Sequence, residues 1–226
     1  MYPTTRELQI RLNALNIFEE HGLAPLVVDG LNGRKTRQAL QFAMRDRNLD
    51  HARELFHPDG ITRIHWHWTG GTYEVTGFEK SHYHGVYDHL GGKHYTKHDP
   101  TDQADYSYSK GIGCSHTLNA NKGALGLSID CMGGATENGR VADCNGYPPT
   151  WEGIDAMLED TAMYCKIFDI PISRWTTLTH AEVQPTLNIR QKWKWDIRVL
   201  PDSNKLLDAI EAGDILRERC KWFLEK

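Results

Sequence analysis

Residues 61–69 read Ile-Thr-Arg-Ile-His-Trp-His-Trp-Thr. The stretch is rich in β-branched and aromatic residues, and its alternation predicts a β-strand. Side chains two apart on a strand share a face, about 6.8 Å from one another. His65 and His67 therefore project together, and Trp66 and Trp68 project the other way. The indoles suit a core. The imidazoles suit a site.

The elements on either side give the fold class. Downstream, Ser81–Tyr95 (SHYHGVYDHLGGKHY) predicts a strand, a Gly-Gly turn and a second strand. Lys122–Gly134 (KGALGLSIDCMGG) has the nearly continuous apolar run of a buried strand. Thr150 is placed to cap a helix over 151–168, SRWTTLTH (173–180) predicts a short strand, and 204–225 predicts a final amphipathic helix. Strands interleaved with helices predict an α/β domain over 61–226, a mixed central sheet flanked by helices. Upstream, Leu8, Leu12 and Leu15 recur at helical spacing behind Thr5 as N-cap, and a second helix runs from Thr36. Asp29-Gly30 and Asn32-Gly33 mark turns between them. Residues 1–50 thus predict a small all-α module. Residues 51–60, with Pro58-Asp59-Gly60, predict a linker.

Composition removes several function classes. In the 226 residues, 26 Lys+Arg against 30 Asp+Glu leave a net charge of −4, so the basic excess of a nucleic-acid binder is missing. No apolar run approaches the roughly 18 residues of a membrane span. The N-terminal segment lacks the apolar core of a secretory signal, and the five cysteines have no CxxC spacing; both predict synthesis in a cytoplasm with reduced thiols. There are 12 histidines, and His82, His84, His89, His94, His98 and His116 fall close together. Two readings fit the enrichment, ordinary surface imidazoles or a metal or acid–base site, since neutral imidazole is the commonest metal ligand; the count alone does not decide between them.

Three separated segments carry the chemistry: Ile64–Thr69, Thr179-His180-Ala181-Glu182-Val183 and Lys192-Trp193-Lys194-Trp195-Asp196. Two imidazoles and a carboxylate form a catalytic zinc set with a fourth position left open. If 192–196 is extended, Lys194 and Asp196 share one face and the two Trp share the other. Lys194 would then stand at the rim, where a developing oxyanion needs a positive charge. Glu182 is a candidate partner to orient His180, since ligating imidazoles donate their other N–H to a carboxylate or carbonyl.

Over residues 60–200 these motifs, in this order, resemble the zinc-dependent N-acetylmuramoyl-L-alanine amidases of peptidoglycan, the family that includes the peptidoglycan recognition proteins. His67-Trp68-Thr69, His82-Tyr83-His84, His116 to Asn121 followed by Gly126-Leu127-Ser128-Ile129, His180-Ala181-Glu182-Val183 and Lys194-Trp195-Asp196 carry the resemblance. Asp196 is followed by Ile197-Arg198, where the family often has Pro-Gly. The N-terminal pattern Leu8-Gln9…Leu12 and Asp29-Gly30-Leu31-Asn32-Gly33…Thr36 resembles the three-helix peptidoglycan-binding module. The whole is similar to modular phage endolysins.

The resemblance implies Zn2+ held by His67, His180 and Asp196, with His65 as the alternative first ligand. It implies catalytic roles for Lys194, Tyr83 and Glu182, and substrate contacts by His84, His116 and Asn121. The implied reaction is hydrolysis of the amide between the muramic lactyl group and L-alanine. The implied partner is the bacterial cell wall, met by a monomer held in the host cytoplasm until lysis and acting afterwards in the periplasm or wall. Deleting residues 1–50 is then expected to weaken wall binding while sparing hydrolysis. Two other readings share the motifs: a zinc peptidase cutting the stem peptide, and a non-catalytic muropeptide-recognition domain.

Overall fold

The computed structural model describes residues 4–226. Helix α1 (Thr5–Ala14) begins one residue earlier than the Thr5 cap predicts. Thr4 is the N-cap because Glu7 completes a capping box: the Glu7 amide donates to Thr4 Oγ1 at 3.2 Å and the Thr4 amide donates to the Glu7 carboxylate at 2.6 Å. Helices α2 (Ile17–Glu20) and α3 (Arg34–Asp46) follow, and Leu12, Ile17, Phe18, Leu26, Ala39, Ala43 and Leu55 form their core. The buried Gln9 amide holds the 29–31 turn, donating to Asp29 Oδ1 at 2.7 Å and accepting from the Gly30 amide at 2.8 Å.

This helical part is docked on the rest of the chain. Ile10 and Val28, each 2% exposed, share a core cluster with Leu178, Val183 and Leu187. Arg11 donates to the backbone and carboxylate oxygens of Asp169, both at 2.9 Å, and Arg6 donates to the Leu187 carbonyl at 2.9 Å. A short 3-10 turn, Ala52–Leu55, follows α3 and adds Leu55 to the helical core.

The main sheet has five strands in the order β3-β2-β4-β1-β7: β1 Arg63–Trp68, β2 Gly85–Tyr87, β3 Lys93–Tyr95, β4 Ala124–Ile129 and β7 Thr177–Thr179. Strands β2, β4, β1 and β7 run parallel to one another, and β3 turns back antiparallel to β2 at the edge, so the sheet is mixed. Between these lie helix α4 (Gly77–Lys80) and a separate hairpin, β5 (Thr136–Asn138) with β6 (Val141–Asp143). The sequence pattern gave no sign of that hairpin, because its residues are mostly exposed and lack an apolar alternation.

Each sheet face has its own task. Ile64, Trp66 and Trp68 lie in one core with Leu127, Ile129 and Tyr87, covered by α5 (Trp151–Ile167) and α7 (Ala209–Leu224). Trp66 Nε1 donates to Thr161 at 2.9 Å and the Tyr87 hydroxyl to Asp160 at 2.8 Å, so the polar tips of these buried rings are satisfied on α5. Thr150 caps α5 as predicted, accepting from the Gly153 amide at 3.2 Å. The last helix starts at Ala209 rather than near 204, because Asp208 supplies the N-cap. The opposite face carries His65 and His67, with Gly126 and Ser128 beside them in register.

Candidate metal centre

Strand register brings the first two histidines together. Trp66 pairs with Thr179, so His67 on β1 lies next to His180, the first residue past the end of the parallel strand β7. His180 opens helix α6 (His180–Leu187) at the carboxyl end of β7, the edge of an α/β sheet where sites form. The two rings lie 4.7 Å apart, nearly perpendicular. Asp196 arrives on the loop after α6. Its backbone carbonyl accepts from the Ala181 amide at 2.7 Å, which satisfies one of the free N–H groups of the helix start and fixes the loop there.

His67, His180 and Asp196 are all buried, and their donor atoms lie within 4.8 Å of one another. His67 Nδ1 is 3.2 Å and His180 Nδ1 3.1 Å from the same oxygen, Asp196 Oδ2. A tetrahedral zinc with ligand bonds near 2.0–2.1 Å requires donor separations of about 3.3 Å, which the two distances to Asp196 Oδ2 match.

The surrounding hydrogen bonds assign the protons. His116 Nε2 faces the Ala124 carbonyl at 3.0 Å and must donate, which leaves its Nδ1 an acceptor. That acceptor faces both the Thr117 hydroxyl at 2.9 Å and His67 Nε2 at 3.2 Å. Gln191 Nε2 donates to the Leu118 carbonyl at 2.9 Å, so its Oε1 is the end facing His180 Nε2 at 3.1 Å, and that nitrogen is protonated. Burial, opposed by the Asp196 contact, lowers the His67 pKa to about 4, so the ring is neutral at pH 7. Burial works to raise the Asp196 carboxyl, but His180 and His67 outweigh it and hold the group well below the usual carboxylate range. Lone pairs converging in a buried space are what a divalent cation needs, and each ligand imidazole already has an outer partner.

His65 shares the face of His67 but bonds Thr117 Oγ1 at 3.1 Å and is not part of the cluster. His67 is therefore the imidazole grouped with His180 and Asp196. The His116 ring lies over Gly126, where an added Cβ would come within 2.5 Å of it; only glycine leaves room.

The remaining expected residues fall in three settings. Tyr83 lies against His67, ring centroids 5.2 Å apart, and burial followed by the Asp196 charge raises its phenol pKa. Lys194 is exposed and lines a cavity of about 710 Å³ together with His116, His180, Asn121 and Gln191. Asn121 has a structural duty as well, its Oδ1 accepting from the His116 and Thr117 amides at 3.0 and 2.7 Å. His84 is 2% exposed and accepts from the Gly126 amide at 3.1 Å, which binds its ring to the sheet.

Glu182 is placed differently from its expected role beside His180. Its carboxylate accepts from the Thr179 amide at 2.8 Å and from Arg217 at 2.7 and 3.2 Å, against Gly213 of α7. Gln191 takes the place expected for it at His180, and no motif marked Gln191 in the sequence. Segment 192–196 is not extended either. Trp193 has φ 50° and is 95% exposed, while Trp195 packs edge-on against Trp68 at 4.7 Å, so the two indoles part company.

These features define an α/β protein with a buried His-His-Asp centre able to hold a divalent metal such as zinc, a set consistent with a metal-dependent hydrolase. The chain matches no family model, no curated protein and no solved structure. Among the described residues no helix is long and apolar enough to cross a membrane.

Proposed function

We propose that the protein is a zinc-dependent amidase of peptidoglycan, cutting between the muramic lactyl group and L-alanine. The observation that carries this reading is the convergence of His67 Nδ1, His180 Nδ1 and Asp196 Oδ2 beside a cavity that His180 and Lys194 both line. The order of the surrounding motifs adds the substrate.

A zinc ion held by those three atoms supplies Lewis acidity and lowers the pKa of a water for amide hydrolysis. The chain's own residues prepare the rest. His116 and Gln191 face the Nε2 atoms of the two imidazoles and so orient each ring with its Nδ1 toward Asp196. Lys194 forms no ion pair with the described residues and is available to the oxygen of the scissile amide as charge develops there. Tyr83, its phenol held protonated, donates a hydrogen bond at the same side of His67. In this reading residues 1–50 attach the enzyme to the wall through the module carrying Asp29-Gly30 and Thr36, residues 51–60 link, and residues 61–226 form the catalytic domain.

Digestion of purified sacculi tests the reading. The metal-loaded protein is expected to release new N-terminal alanine without new reducing ends, and His180→Ala and Asp196→Ala are expected to lose bound metal and product together. New amino groups on other residues would transfer the activity to a peptidase. Metal-free variants with full activity would remove the centre from the mechanism.

A further inference from the structure

The hydroxyl of Thr117 stands among three imidazoles. Thr117 Oγ1 is 2.9 Å from His116 Nδ1, 3.1 Å from His65 Nδ1 and 3.4 Å from His67 Nε2. Thr117 is 1% exposed, so water does not compete for these contacts. Its backbone is pinned as well: its amide donates to Asn121 Oδ1 at 2.7 Å, and the Asn121 carbonyl accepts from Gln103 Nε2 at 2.8 Å. A hydroxyl offers one donor and two acceptor lone pairs, one for each ring around it. His116 decides how they are shared. It spends an N–H on the Ala124 carbonyl at 3.0 Å. No carboxylate touches its ring among the described residues, so nothing offsets the cost of a second, charge-bearing proton there. The His116 Nδ1 lone pair therefore takes the hydroxyl proton. The two lone pairs of Oγ1 are left for N–H groups of the other rings, His65 at Nδ1 and His67 at Nε2. His67 then presents a bare Nδ1 toward Asp196 Oδ2, 3.2 Å away. His65 Nε2, buried and without a partner, is a lone pair rather than a stranded N–H.

We propose that Thr117 is a positioning residue of the metal centre: its hydroxyl holds His65, His116 and His67 in one order of protons, and so keeps His67 Nδ1 bare for a metal ion. It stands behind the ligand set rather than in it. In the other tautomer of His67 a proton on Nδ1 would bond to Asp196 and would have to leave before a metal could bind. The rings meet one another edge-on, with centroids 5.7 Å apart for His65 and His116 and 5.2 Å for His67 and His116. A methyl in place of the hydroxyl would keep that packing and lose the proton order. The inference rests on the metal reading of the centre for what Nδ1 binds, and takes nothing from the amide substrate.

Nitrogen NMR of the metal-free full chain, together with chelator competition for zinc, tests it. Protonated and bare imidazole nitrogens resonate far apart, so the spectrum reads each tautomer directly. The wild type is expected to show His67 protonated on Nε2 and His65 on Nδ1. Thr117→Val is expected to turn His67 into a mixture of tautomers and to weaken zinc binding about 10–100-fold. Thr117→Ser keeps the hydroxyl and is expected to restore both readouts, with affinity within about threefold of wild type. A wild-type spectrum with the His67 proton on Nδ1 would overturn the proposal, as would wild-type affinity in Thr117→Val. A loss of affinity with the His67 signals unchanged is plain loosening of the site and would overturn it too. A melting curve checks the fold of each variant, and if Thr117→Val does not fold the wild-type spectrum decides alone. Expected tautomers in a wild type that takes up no zinc would support the proton order and refute the metal reading, so the two failures are distinct.

Discussion

His116 Nδ1 stands 3.2 Å from His67 Nε2, and its own Nε2 donates to the Ala124 carbonyl at 3.0 Å. A backbone oxygen on β4 thus orients, through one imidazole, another whose Nδ1 faces Asp196. His116→Phe keeps a ring over Gly126 but removes the acceptor. Outer partners of this kind are worth about 10–100-fold in metal affinity. Competition with a chelator is expected to show a loss in that range, and unchanged affinity would refute a positioning role for His116.

Arg217 and Glu182 form an ion pair with side chains 4% and 0% exposed, joining α7 to the start of α6. Arg217→Met leaves a buried carboxylate unpaired, at a cost of about 3–5 kcal/mol. For a chain of this size that lowers Tm by roughly 6–20 °C. Adding Glu182→Leu is expected to recover much of the loss, because two apolar side chains leave no stranded charge. A double variant no more stable than Arg217→Met would contradict this account.

Acid should destabilise the fold through His84. Burial, then the nearby His98 charge, lowers its pKa to about 4 in the folded chain, against about 6.5 unfolded. Between those values the unfolded chain binds a proton that the folded chain does not. The contribution is therefore complete above about pH 6.5 and is lost as pH falls toward 4, some 3 kcal/mol in all. His84→Asn keeps an acceptor for the Gly126 amide and cannot titrate. In chelator-treated protein its stability is expected to fall about 2 kcal/mol less than wild type between pH 7 and 4.5. Parallel losses in the two proteins would exclude His84 as the titrating group.

Ile10 and Val28 are the helical module's contributions to the core beneath α6. Ile10→Ala is expected to cost about 2–5 kcal/mol in denaturant unfolding. The same packing changes the outcome expected for deletion of residues 1–50. Removing them would bare Leu178, Val183 and Leu187, so hydrolysis should decline along with wall binding. A truncated chain with wild-type stability would show that this shared core contributes little.

The pattern around residues 61–69 was legible because strand alternation is local: a period of two puts the imidazoles on one face and the indoles on the other, wherever the strand sits in a sheet. The same holds for the buried run at 124–129 and the capped helix from Thr150. Glu182 was misread because its neighbour in sequence, His180, is not its neighbour in space. On α6 the helix start turns Glu182 back to the Thr179 amide and toward Arg217, some 35 residues away in the chain. Gln191 and His116 acquire their roles from carbonyls of Leu118 and Ala124, which carry no side-chain signature.

Residue order alone dictated the periodicities, the caps and the supply of donor types, since each depends on neighbours a few positions apart. Which imidazole joins the carboxylate, which nitrogen it offers, and which charges are left unpaired depended on the register of β1 against β7 and on the path of the loop to Asp196. Those are contacts between distant segments. Their energies arise only when the chain has closed, and a linear reading has no means to rank them.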